Sequence, residues 1–259
     1  MTEHSSETQL NTNDTCQWEE YERFHSVSEE RWQKALSSER HGWQRQMRLR
    51  YPLWRLLNPF RTTPFGDDWN DWWAERFDSY TGLPAQVDAL FEFGCGPYTN
   101  ARIILRKVKA ARVYLSDPLM PTYLTFRGTW LTREYNRRTV ICDSSPLEKS
   151  PFSPGAGDIV VLINVLDHVR DGFLALRNAL QVVKIGGWFV FGQDLTDPRD
   201  RGWNEDELMH PIRFNARQLD SVLGDSFDLM RARRILPKAQ GRNPDFHCGT
   251  YLLMGRRLQ

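Results

Sequence analysis

The chain has 259 residues, 40% of them hydrophobic and 26% charged, which suits one large α/β domain with an extension, or two small domains. Its 34 Lys and Arg balance 33 Asp and Glu, so no global charge draws it to nucleic acid or to an anionic membrane. The four cysteines (Cys16, Cys95, Cys142 and Cys248) form no CxxC pair, which argues against a zinc site or a disulfide framework and for free thiols in a reducing cytoplasm.

Residues 1–17 are rich in Ser, Thr, Asn and Glu, with little to bury, and read as a disordered tail rather than a signal peptide. No apolar run is long enough to span a bilayer, and a cytoplasmic location is expected. Residues 18–84 read as a helical, aromatic-rich lid. Ser26 and Glu29 have capping-box spacing before a helix. Trp32, Leu36, Trp43 and Met47 then recur at helical intervals as one apolar stripe, which Pro52 and Pro59 interrupt. Between Arg40 and Arg61 there are several arginines and no acid. That stretch reads as a solvated helical face with Trp and Leu turned inward, ahead of a contact for an anionic acceptor or a membrane surface. Gly66-Asp67-Asp68 starts a second helix, with Trp69, Trp73, Phe77 and Tyr80 on roughly one face. Thr81-Gly82-Leu83-Pro84 stops it.

Strands and helices alternate from residue 85 to the end, the expected main domain. Strands are expected at Gln86–Phe93, Ala111–Ser116, Arg138–Cys142, Asp158–Val165 and Trp188–Gln193. The intervening helices fall at Thr99–Val108, Thr122–Tyr135 and Asp171–Val183. A short helix at Asn215–Leu223 precedes a closing hairpin, Leu229–Leu236 with His247–Gly255. This order predicts a Rossmann-like, doubly wound, mostly parallel seven-stranded sheet with an N-terminal helical extension.

Phe91-Glu92-Phe93-Gly94-Cys95-Gly96-Pro97 forms the first strand-to-helix turn, where glycine lets the backbone pass close to a ligand. Asp117, after the second strand, is placed to accept hydrogen bonds from both hydroxyls of a ribose. A dinucleotide would need a third Gly at Thr99, so the GxGxxG fingerprint is broken.

With these residues the sequence resembles the class I S-adenosylmethionine-dependent methyltransferases, over about residues 86–195. The resemblance implies a cofactor loop at Glu92, Gly94 and Gly96, a ribose acid at Asp117, and an adenine-side pair at Asp143 and Ser144. It also matches a fourth-strand segment that includes Asn164, Asp167 and His168, and a Gly186-Gly187 turn. Tyr98 departs from the family's usual small residue.

An oxygen acceptor needs a base, and His168 and His210 are the candidates, with a packing role for His168 as the rival reading. His247 reads as structural. Asp167, His168, Asp194 and His210 are the residue types that hold a divalent metal, but no metal is expected. The expected activity is O-methylation of a small polar or glycosylated acceptor. N-methylation of a small amine, or a non-catalytic binding module of the same fold, are the alternatives. The expected partner is the small-molecule acceptor, with no nucleic acid; a homodimer is left open.

Overall fold

The computed structural model describes residues 25–59, 67–126, 129, 134–135, 138–197, 200 and 209–259. The expected tail at 1–17 lies outside them.

Helix α1 (Glu29–Leu57) comes first. Ser28, not Ser26, is its N-cap, with the side chain accepting from Arg31 N at 3.2 Å. Ser26 is drawn away by an antiparallel bridge to Asp171. The helix also runs through Pro52, which sits on an exposed turn. Helix α2 (Asp67–Arg76) leads into strand β1 (Gln86–Phe93), helix α3 (Ala101–Ile104), strand β2 (Lys109–Ser116) and helix α4 (Met120–Tyr123). Strands β3 (Glu134–Tyr135), β4 (Arg138–Asp143) and β5 (Gly157–Ile163) follow, then helix α5 (Gly172–Val182) and strand β6 (Val183–Leu195). The chain closes with helices α6 (Ala216–Leu223) and α7 (Leu229–Ala232) and strands β7 (Arg233–Pro237) and β8 (Gly249–Arg256).

The sheet order is β3-β4-β2-β1-β5-β6-β8-β7. Strands β4, β2, β1, β5 and β6 are parallel, and β8 and β7 add an antiparallel edge. Seven strands are therefore joined by an eighth of two residues, β3, antiparallel to β4. It lies where Thr122–Tyr135 reads as helix; of that stretch only the start is helical, and residues 127–128 and 130–133 lie outside the described set. The Thr99–Val108 helix shrinks to four residues because the bonds of Arg106 N to Ile103 O and Lys107 N to Ile104 O tighten its end into turns. The strand expected from Leu229 starts instead at Arg233, after a single helical turn.

Alternation along the strands splits the core between two faces. Phe91, Phe93, Val160, Leu162, Phe189 and Phe191 pack on one side, and Leu90, Ile159, Val161 and Val190 on the other. On the second side the extension is keyed into the sheet. A Cβ added at Gly192 would stand 2.6 Å from the Trp73 ring, so glycine is what makes room for that indole. The order reverses between β1 and β5, which opens a crevice at their carboxyl ends.

Trp73 is 2% exposed, so Trp73→Ala should cost ~3–5 kcal/mol in urea denaturation. Leu56→Ala, at a side chain 76% exposed, should stay within ~0.5 kcal/mol. Equal losses would mean that the extension is not keyed to the sheet through this indole.

Candidate active site

A cavity of about 280 Å³ occupies that crevice. Its floor is the loop after β1: Gly94 and Gly96 both have positive φ, +60° and +57°. A Cβ on Gly94 would also meet Val165 Cγ2 at 2.4 Å, whereas the space above Gly96 is open. On that loop Tyr98 is turned towards α1, its hydroxyl 3.2 Å from Met47 Sδ and its ring 5.8 Å from that of Trp43.

One wall is Asp117, directly after β2. It is buried, and its two carboxylate oxygens each accept one backbone N–H, from Gly96 at 3.1 Å and from Leu119 at 2.8 Å. Burial, and then the nearby Glu39 carboxylate, push its pKa up to about 7.

The opposite wall follows β5. Asn164 adopts φ +54°, a left-handed conformation that Asn tolerates, and its Oδ1 accepts from Asp194 N. His168 comes next on the cavity rim. Its Nδ1 lies 3.5 Å from Glu39 and its Nε2 3.9 Å from Asp167. Burial opposes charge on this ring, but Asp167 and Glu39 outweigh it and raise the pKa to about 9. Burial likewise opposes charge on Asp167, yet His168, His210 and His247 hold its pKa down to about 2. The His210 ring stands edge-on to His168, with centroids 4.5 Å apart.

The roof is the first half of α1, with Trp32, Leu36, Glu39, Gly42, Trp43 and Gln46 facing the cavity. Trp32 Nε1 donates to the His168 carbonyl at 3.1 Å, and Val27 N to the Arg170 carbonyl at 2.8 Å. These bonds pin the helix onto the loop after β5.

A methyltransferase-domain family model matches residues 91–191. Over residues 91–191 the chain carries a methyltransferase domain of the S-adenosylmethionine-dependent kind. In fold it is similar to the N-methyltransferase NodS from Bradyrhizobium japonicum WM9, solved with S-adenosyl-L-homocysteine. The TM-score is 0.53 at 17% identity, over 78% of this chain and 91% of that one. Geranyl diphosphate C-methyltransferase from Streptomyces coelicolor A3(2), solved with Mg2+, a substrate analogue and S-adenosyl-L-homocysteine, gives 0.53 at 17%, over 71% and 74%. Haemonchus contortus phosphoethanolamine N-methyltransferase 2 gives 0.53 at 13%, over 77% and 54%. No curated protein matches the methyltransferase in sequence.

Gly94, Gly96, Asp117, Asn164, His168 and His210 all line this cavity. Glu92 and Asp143 are not among its lining residues. Glu92 is 2% exposed and its carboxylate is consumed by Thr99 Oγ1, Asn100 N, Asn100 Nδ2 and Ala101 N, so it caps α3. Asp143 is taken up by Ser116 Oγ, Ser145 N and Ser145 Oγ, and the exposed Ser144 gives its place in the lining to Ser145.

Asp167, His168 and His210 hold ligand-type atoms within 4.8 Å of one another, while Asp194 is turned to Thr250 and His247. Both nitrogens of His168 face carboxylates, the arrangement of an imidazolium between two anions. Sequence reasoning missed Glu39, although 32, 36, 39 and 43 share one helical stripe and an acid among three apolar residues was the signal. Arg242 also lines the cavity and carried no local signal.

The folded-state pKa of His168, about 9, lies above its ordinary 6.5. The stability this contributes is complete below pH 6.5 and is lost as pH rises through 9. Urea denaturation between these limits should show the wild type losing stability and His168→Gln losing clearly less. Parallel profiles would rule out an imidazolium at this position.

Proposed function

We propose that the domain methylates a hydroxyl oxygen of a small polar or glycosylated acceptor, held between the β1 and β5 loops and a lid formed by residues 18–84. The observation that carries this reading is that one cavity joins a glycine-lined floor and a buried acid to a cluster of imidazoles and carboxylates. When bound, S-adenosylmethionine supplies an electrophilic methyl whose thioether leaving group needs no acid.

The residues present fit that group. Gly96 leaves open space on the floor. Asp117 spends one acceptor position per oxygen on the backbone and keeps others for two ribose hydroxyls. Glu92 serves the cofactor indirectly, by holding the loop that carries the two glycines. Asn164 closes the same slot from the β5 side.

An acceptor hydroxyl loses its proton as the methyl–oxygen bond forms. His168 stands between Asp167 and Glu39, which favour its cationic form, so in this reading it is not the group that takes the proton. The role falls to His210, on the segment that leads into the cavity. Charged His168, fixed by Glu39 and Asp167, positions the acceptor oxygen. Aromatic faces of Trp32 and Trp43 beside Gln46 suit a polar ring with apolar faces.

A second reading is favoured by a different observation. Glu39, Asp117 and Glu148 all line the cavity, and such carboxylates favour a cationic amine. A turnover screen over sugars, phenols and amines, with the product's methyl position assigned by NMR, separates the two.

Asp117→Ala should weaken binding of S-adenosylmethionine and its demethylated product by ~1.5–3 kcal/mol in calorimetry. A wild type that gives no heat with either, but binds NAD, ends the cofactor assignment. With the acceptor found, His210→Gln should lower turnover ~100-fold at nearly unchanged cofactor affinity. If His210→Gln turns over normally while His168→Gln does not, the two histidines exchange roles.

A further inference from the structure

The roof helix continues past the cavity. Leu49, Leu53, Leu56 and Leu57 are 59%, 56%, 76% and 69% exposed, which overturns the inward-facing reading of this segment. Their spacing, i, i+4, i+7 and i+8, sets them on one stripe roughly 100° wide. The helix's packed side is elsewhere: Met47 is buried, and Tyr51 and Trp54 are half-buried.

Charge surrounds the stripe. Arg45 and Arg50 border it on either flank, and Arg40, Arg48 and Arg55 lie further round, all five exposed. No Asp or Glu occurs from Arg40 to Leu57. A chain with a net charge of +1 thus concentrates five positive charges around four exposed leucines.

We propose that the second half of α1 docks on an anionic lipid surface, with the leucines in the acyl boundary and the arginines on the headgroups. Apolar burial and attraction to anionic lipid both contribute to such binding, and long arginine side chains reach back to the headgroup level while their stems stay apolar. A second copy of the chain is disfavoured as occupant, because a two-fold contact on this stripe would face five arginines with five. Glu39 in the cavity and Leu53 on the stripe are ~21 Å apart along the helix, so docking would bring the cavity close to the lipid. This inference does not depend on which acceptor atom is methylated.

The test is flotation of the full chain with phosphatidylcholine vesicles, with and without phosphatidylglycerol, alongside sedimentation velocity of the protein alone. The wild type should float with the anionic vesicles, less so at high salt, and stay behind with the neutral ones. Leu53→Ser/Leu56→Ser/Leu57→Ser and Arg45→Gln/Arg48→Gln/Arg50→Gln should each lower partitioning about tenfold or more, with melting temperature unchanged because these side chains are exposed. No flotation of the wild type overturns the proposal. So does equal flotation of the leucine variant, or a wild-type dimer that the leucine variant dissolves.

Discussion

A carboxylate buried at the end of a central strand must be given donors, and Glu92 receives four of them from the residues just after the glycine turn. That demand ties the start of α3 back onto β1 and folds residues 94–98 over the strand end. The left-handed glycines let the chain make this return in few residues without the steric cost of a side chain. The position of the cavity floor, the open space above Gly96, and the bond from Gly96 to Asp117 all follow from it. An acid that reads as a ligand-contacting residue is, in the fold, the anchor of the loop that floors the cavity.

A second constraint crosses the cavity. Asp167 and Glu39 come from distant parts of the chain and meet at His168 from two sides. Asp167 is buried and Glu39 half-buried, and the imidazoles around them favour their ionised forms against burial. The array is mutually stabilising: removing one member would leave a charge without its partner in a site partly shielded from water. It is also the reason that the histidine directly after β5 is an organising cation and the second histidine carries the proton chemistry in our reading.

Helix α1 joins two environments. Its first half is bound by Trp32 to the β5 loop and closes the cavity; its second half turns its leucines outward. Pro52 marks the change without ending the helix. At 29 residues the helix is ~43 Å long, more than the crevice can cover.

Much of the fold was written in local pattern. The bounds of β1 coincide with the run Gln86–Phe93, and the β-branched Ile159, Val160 and Val161 announce a strand buried on both faces. Gly94, Gly96 and Asp117 were legible because backbone freedom and an acid after a strand are properties of a few adjacent residues. The domain's family followed from the same short segments. What sequence could not supply was anything that depends on which side chain gets there first. Ser28 caps α1 because Ser26 is held by Asp171; Glu92 turns inward because Thr99, Asn100 and Ala101 claim it. The surroundings that favour charge on His168 likewise include Glu39, 129 positions away in sequence and 3.5 Å away in space. Spacing along a chain sets which elements form; competition among partners for buried hydrogen bonds and charges is settled only when those elements pack.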